Sequence, residues 1–448
     1  MDKLLRGRAQ IGWPSYELAA VGVFVVLGFT VFIPVQIGAA VLGTSLLLAT
    51  PALGAWPDDE PERIRNAALL AAVVLLGADI VGRAIGEGGI AATSAVSFPF
   101  VLVAGFLALR GRLEEWALRT LAAGLLVLVV AAVGTTHLVA QPLPDTDVFY
   151  LHVSAAGSLS SGRNPYIEAT AANTAPTAEE GETVVGYPYP PLDLVAYAGG
   201  HVLFGDPRWT SVIAVAITVL LIIRPWARLT RAQAGAAVAL SLAIVTQPVL
   251  GPIFRNAWTE PIALPLLMGV GLLWRKHPMG AAVLLGLVLG LKQYWILALP
   301  LLLIWNDDYR WKRFWLAGGV AALSLLPAFL AAPGAAWNSM VVNLMDVPPR
   351  LDSIGFAGIG WNLPMWLIVM AAVVAAWWMG RQGGPAPRFL LGLLGTLSVA
   401  FLLGSQAFVN YWFLIANAAI VAVATTAAMN RHAENPDRAT RPGHVEVS

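Results

Sequence analysis

Apolar runs, each close to the roughly 20 residues that carry a helix across a bilayer, recur along this chain with only short polar breaks between them. They predict membrane-crossing helices over 16–33, 36–52, 66–82, 94–109 and 118–139, then 209–224, 233–250 and 259–274. Two short apolar segments follow at 279–291 and 294–305. The series closes with 314–332, 363–379, 389–404 and 408–428. The expected fold is an all-α polytopic membrane bundle of about 13–14 segments. One substantial polar stretch, from Gln141 to about Pro190, stands outside it.

Composition agrees with the pattern. Of 448 residues 58% are hydrophobic and 12% charged, about half the charge of a typical soluble domain, and mean hydropathy is +0.72. The absence of cysteine excludes disulfides, thiolate metal sites and thiol nucleophiles. A net charge of +1 gives no reason to expect nucleic acid as a partner. Only Lys3, Lys276, Lys292 and Lys312 of the 27 basic residues are lysines, a bias that points to a GC-rich bacterial genome. Lys3, Arg6 and Arg8 precede the first apolar run as in a signal peptide, but a second run follows almost at once, which favours a retained helix.

The basic residues orient the bundle. The clusters are Lys3/Arg6/Arg8, Arg63/Arg65, Arg110/Arg112/Arg119, Arg224/Arg228/Arg231, Arg275/Lys276, Arg310/Lys312/Arg313, Arg381/Arg388 and the tail from Arg431 to Arg441. All fall on one side if 190–205 does not cross and 279–305 is a hairpin rather than one long helix. That side is then the cytoplasm, with both termini on it, and the expected location is a bacterial plasma membrane. Residues 1–115 read as an N-terminal four-helix module, 116–430 as the main membrane domain and 431–448 as a cytoplasmic tail. In the first module Asp79 and Arg83 are spaced as an i,i+4 pair near the interface. The cytoplasmic loops are too short for a folded domain, so chemistry is expected on the opposite, extracytoplasmic face.

Two loops stand on that face, residues 141–190 and 333–362. The first holds Asp145, Asp147, His152, Arg163, Asn164, Tyr166 and the run Tyr187-Pro188-Tyr189-Pro190-Pro191. The second holds Trp337, Asn338, Asn343, Asp346, Arg350, Asp352, Trp361 and Asn362. Val148, Leu151, Ala155 and Leu159 share one helical face and Gly162 is placed to end it, which predicts an amphipathic helix on the membrane surface. Asp145 or Thr146 would be its N-cap and Asp147 would sit in its first turn. Capping explains one carboxylate better than two, which leaves a catalytic or ligand role for the other. Asp145-Thr146-Asp147 also has the D-x-D form by which soluble glycosyltransferases hold a metal and a nucleotide sugar. A loop this short cannot supply the α/β domain that reading needs, and no Gly-rich phosphate loop is present, so no metal site is assigned.

Lys292 is the second chemical signal, because it interrupts an otherwise apolar stretch. In a hairpin of 279–291 and 294–305 each arm is only about 18–20 Å long. The hydrocarbon core is about 30 Å thick, so the apex stops inside it and lifts Lys292 into a recess open to the outer side. An intramembrane cation by default marks function. The plainer alternative is a lysine snorkelling from one long helix. Arg255 and Glu260 flank Trp258 at an outer helix junction and are expected to pair with each other. Arg350 and Asp352 follow Pro348-Pro349, where they would meet an anionic head group or each other. His137, His152 and His201 lack metal-ligand spacing and read as structural or interfacial. The Tyr187–Pro191 run is first a rigid polyproline turn, and Thr170 to Thr183 reads as a mobile loop.

Several short motifs come in a set order. Asp147-Val148-Phe149-Tyr150 is followed by Ala155-Ala156, Leu159, Gly162, Asn164-Pro165-Tyr166 and Tyr187-Pro188-Tyr189-Pro190-Pro191 before a short apolar segment, and later by Gly290-Leu291-Lys292. This order resembles the GT-C superfamily of polyprenyl-phosphate-sugar-dependent glycosyltransferases. It is most similar to glycosyltransferase family 87, which includes the mannosyltransferases of actinobacterial phosphatidylinositol mannosides. The likeness covers residues 118–430. It implies a GT-C-like helical bundle whose extracytoplasmic loop bears a surface helix. It also implies inverting transfer of a sugar, mannose by family, from a polyprenyl-phosphate donor to a lipid or glycan acceptor, with membrane lipids around it and no cofactor. Asp147 would be the general base and Asp145 its runner-up. Lys292 would meet the donor phosphate with Arg255 or Arg350 assisting. His152, Asn164, Tyr166, Tyr187, Tyr189 and Gln293 would contact substrate.

The main rival is a transporter or flippase of a lipid-linked sugar, which would also have many helices and an intramembrane cation. Transporters commonly carry paired repeats with broken helices in both halves, and here one short hairpin has no counterpart. A non-catalytic assembly partner docking through its first four helices is the second rival.

Overall fold

The computed structural model describes residues 65–66, 68–69, 72, 91–144, 146–172, 183–247, 249–305, 307–343, 353, 355–361, 363–380, 386–404 and 407–429. Asp79, Arg83, Asp145, Asp346, Arg350, Asp352, Asn362 and the first two predicted spans lie outside them.

The described chain is almost wholly helical. It opens with α1 (Ala91–Arg110) and α2 (Trp116–Ala140), followed by the outer-loop helices α3 (Asp147–Ser160) and α4 (Pro165–Glu168). After a short hairpin come α5 (Pro191–Phe204), α6 (Trp209–Ile223), α7 (Arg231–Val245), α8 (Leu250–Arg255), α9 (Ala263–Leu273) and α10 (Pro278–Leu289). The series ends with α11 (Ala298–Ile304), α12 (Arg310–Ala331), α13 (Pro333–Trp337), α14 (Met365–Gly380), α15 (Ala386–Leu403) and α16 (Val409–Met429). Among the described residues α2, α12 and α15 are long and apolar enough to cross a membrane, and α5 with α6 makes a fourth if that bent pair is one span. At 1.5 Å per residue α2 is about 38 Å long, more than the hydrocarbon thickness. The described residues are those of a mostly helical membrane protein. Its outward faces carry apolar side chains with no protein over them, such as Leu323, Leu326 and Leu330 on α12 and Trp366, Met370 and Val374 on α14.

Most predicted spans return as helices within a few residues of their expected ends, and the departures have local causes. The expected span 233–250 is two pieces. Helix α7 starts on a capping box in which Thr230 and Gln233 satisfy each other's backbone N–H groups. It stops at Thr246, before Pro248, which has no N–H to continue the ladder. Residues 190–205, expected not to cross, form α5, which ends at left-handed Gly205 and bends by 103° into α6. The stretch Thr170 to Thr183, expected to be a mobile loop, instead has ends that pair as an antiparallel hairpin, β1 (Thr170–Ala172) with β2 (Thr183–Val185), Ala171 opposite Val184. Helix α1, expected as the last helix of a separate N-terminal module, packs on α2 and α7 and shares their core through Ala104, Ala108 and Leu113.

The 279–305 segment does reverse. Trp274, before α10, and Trp305, after α11, both pack on the ring of Phe389, with centroids at 4.6 and 5.4 Å. Gly290, near the apex, lies against Ser324 of α12 and Leu192 of α5. At the Trp end Arg313 binds Asp307 and the Trp274 carbonyl, each at 2.7 Å.

Two cores result. The larger runs through the helical bundle, where Gln247 and Asn417 exchange two side-chain hydrogen bonds of 3.0 Å, the reciprocal pairing that buried amides need. The smaller joins Leu151, Tyr166, Tyr187 and Leu194 to Ala336 and Met340, so the described parts of the loops 141–190 and 333–362 share one packed core.

Candidate active site

Asp147 is the first residue of α3, with Thr146 as N-cap, and its Oδ1 accepts from the Val148 N–H at 2.9 Å. A carboxylate is favoured there by the positive end of the helix dipole. It is half-buried. Arg208, enclosed by protein, braces the chain just ahead of it. Its guanidinium donates to the carbonyls of Gln141 and Pro142 at 2.7 and 3.3 Å, is held by Asp206, and lies 4.8 Å from the Phe149 ring centroid. The buried face of α3 is Phe149, Leu151, His152, Ala155 and Ala156. Of the four residues expected to share that face, Leu151 and Ala155 turn inward, Val148 is half-buried and Leu159 is exposed.

Lys292 has extended backbone at the apex of the reversal, between α10 and the 3₁₀ turn Gln293–Leu297. Its side chain is nearly enclosed. Nζ lies 2.5 Å from Oε1 of Glu260, which opens the 3₁₀ turn leading into α9. The rings of Tyr189, Tyr294 and Tyr411 stand around the ammonium, their centroids 5.3, 5.5 and 4.9 Å from Nζ. Glu260 therefore does not pair with Arg255, as its sequence position had suggested; its Oε2 has no hydrogen-bond partner among the described residues. Arg255, half-buried at the end of α8, makes no hydrogen bond or ion pair with any described residue.

Tyr189 links the two halves. Pro188 and Pro190 flank it, its ring centroid lies 5.3 Å from Lys292 Nζ, and its phenol feels the charge of the Asp147 carboxylate. Enclosure raises its pKa well above the ordinary tyrosine value, and the charge of Asp147 adds to that rise. Tyr189 is thus the residue that both the expected carboxylate and the expected ammonium act on, although the two are 145 positions apart in the chain (292 − 147).

The other expected contact residues hold this arrangement from beneath. Gln293 Nε2 donates to the carbonyls of Pro188 at 2.5 Å and Met340 at 3.0 Å, which clamps the tyrosine loop to the second outer loop. Asn164 caps α4 by accepting from the Tyr166 N–H, and Tyr166 Oη donates to the Tyr189 carbonyl at 3.1 Å. Gly186, at φ +84°, leads into the loop where any Cβ would strike Ser339. His152 and Tyr187 are fully enclosed, so their expected contact with substrate gives way to a supporting role. Tyr187 Oη lies 2.8 Å from His152 Nδ1 and donates to Asp193 Oδ2 at 2.7 Å, while the imidazole stacks 3.9 Å from Tyr197. Burial drives the His152 pKa down to about 3, the Lys292 charge pushes the same way, and the Ala257 backbone opposes them.

The chain matches no family model, no curated protein and no solved structure.

Asp193, Tyr294 and Tyr411 were not singled out in the sequence. The signal for Tyr294 is its place two residues after Lys292, and for Asp193 its place in the first turn after Pro190-Pro191. Tyr411 offers none. Among the described residues no group of three His, Asp or Glu side chains converges to hold a metal. Chemically the candidate residues are a half-buried carboxylate and an ammonium caged by aromatic rings. That set suits proton removal from a hydroxyl beside an anionic leaving group.

Proposed function

We propose that the chain is an inverting membrane glycosyltransferase that moves a sugar from a polyprenyl-phosphate donor to a hydroxyl of a lipid or glycan acceptor. The observation that carries this reading is Tyr189, whose ring stands against the Lys292 ammonium and whose phenol feels the charge of the Asp147 carboxylate. A base and a cation near one aromatic ring suit a sugar bonded to phosphate. The resemblance to glycosyltransferase family 87 supports mannose as the sugar and a GT-C-like bundle of about 13–14 segments, with the site extracytoplasmic and both termini cytoplasmic.

In this scheme the acceptor oxygen attacks the anomeric carbon and passes its proton to Asp147. The bond from that carbon to the phosphate oxygen breaks on the opposite face, and its electron pair leaves with the phosphate. One carboxylate is enough, since inversion forms no covalent sugar–protein intermediate. Lys292, with Arg255 or Arg350 assisting, stabilises charge as it grows on the leaving oxygen.

The test is purified protein in lipid supplied with polyprenyl-phosphate mannose and candidate acceptors. Formation of a glycosidic bond that depends on Asp147 supports the reading. Movement of label across vesicles with no new bond replaces it with the transporter.

A further inference from the structure

An anion that reaches Lys292 meets a cation already neutralised. Glu260 is 1% exposed, its single hydrogen bond among the described residues is the one to Lys292 Nζ, and its second oxygen has no donor. An oxyanion on another N–H of the same tetrahedral ammonium lies only about 4–5 Å from the Glu260 carboxylate, from ordinary charge-assisted hydrogen-bond lengths. At that range like charges repel strongly where water is scarce. Beside the Lys292–Glu260 pair stand aromatic rings with uncharged hydroxyls. Tyr189 and Tyr294 are half-buried, and their hydroxyls make no hydrogen bond with any described residue.

This seat favours one negative charge over two. A sugar linked to a prenyl chain through phosphate is a phosphodiester and carries a single charge. The prenyl phosphate left after transfer is a monoester, with about −1.5 to −2 at neutral pH. We infer that Glu260 is a specificity-determining residue that makes the Lys292 seat accept phosphodiester monoanions and expel phosphomonoester dianions. The inference rests on the donor-phosphate role of Lys292 proposed above. It adds that the departing product is pushed off by a fixed carboxylate once it gains its second charge.

The experiment is direct binding to the full chain in nanodiscs, with a polyprenyl phosphate and its methyl phosphodiester as probes at pH 5.5 and pH 8. Wild type should bind the two within about twofold at pH 5.5 and prefer the diester at least tenfold at pH 8. Glu260→Gln, which keeps the shape and a hydrogen bond to Lys292, should lose that preference at pH 8. Glu260→Asp, which keeps the charge, should retain it. A wild-type protein that binds both probes equally at pH 8, or a Glu260→Gln variant with the wild-type ratio, overturns the inference and leaves the transferase reading standing. Binding of neither probe at either pH removes both.

Discussion

Nζ of Lys292 meets Oε1 of Glu260 at 2.5 Å although the two residues are 32 positions apart and arise from two separate interruptions of helix. Pro261 tightens one break into a 3₁₀ turn, and the Gly290–Lys292 reversal makes the other. Each break frees a side chain at the same level of the bundle.

Removing either partner strands a charge inside protein. Glu260→Ala and Lys292→Ala should each lower stability by about 3–5 kcal/mol. The pair Glu260→Leu with Lys292→Met should cost less than either single change. Thermal unfolding in one detergent measures all three, and simple additivity of the single losses would show that the two residues are not coupled.

Asp147→Asn should leave the fold intact and lower transfer by about 10²–10⁴-fold, the usual contribution of a positioned base. Steady-state rates with a polyprenyl-phosphate sugar provide the check. Full activity in folded protein would eliminate Asp147 as the base.

Truncating Lys292 should leave a slot lined by three tyrosine rings and Glu260, which is a receptor for small ammonium ions. Ethylammonium should therefore recover part of the activity or thermal stability lost in Lys292→Ala, while ethanol should not. Equal response to both additives would mean that the slot collapses.

His152 sets an acid limit. Its folded pKa, about 3, lies below the unfolded value of 6.5, so the stability it contributes is complete above pH 6.5 and is lost as pH falls toward 3. Between pH 6.5 and 4 that loss is about 3 kcal/mol. Chemical denaturation across this range should show the loss in wild type and its absence in His152→Asn. Parallel curves for the two proteins would place the acid sensitivity elsewhere.

Gln293→Ala removes both donors that tie Pro188 to Met340. Backbone hydrogen exchange over 183–190 and 338–343 should accelerate, with a stability loss of about 1–3 kcal/mol from the two carbonyls left without a partner. Unchanged exchange in both segments would show that packing alone holds the loops together.

Helix positions were readable because each apolar run reports its own burial, residue by residue. The reversal at Lys292 was readable for a similar reason: a charge in the middle of an apolar stretch has few places to go. Asp147 stood out as a second carboxylate at a helix start that needs only one. By contrast, Glu260 was expected to pair with nearby Arg255, since sequence distance was the only guide to pairing. The family resemblance put His152, Tyr166 and Tyr187 among the substrate contacts, whereas the residues alone read His152 as structural or interfacial. Packing with Ala336 and Met340 buries Tyr166 and Tyr187, and His152 is enclosed beside Tyr187 and Tyr197.

Local physics was enough to settle the class of this protein, its helical segments and the presence of a carboxylate and an ammonium worth following, because hydrophobic length and helix capping act over a few turns of chain. Which residue neutralises Lys292, which rings enclose it and which side chains face inward were decided only in the folded bundle. Those contacts join segments tens to hundreds of residues apart, and no short stretch of sequence carries the distance between them.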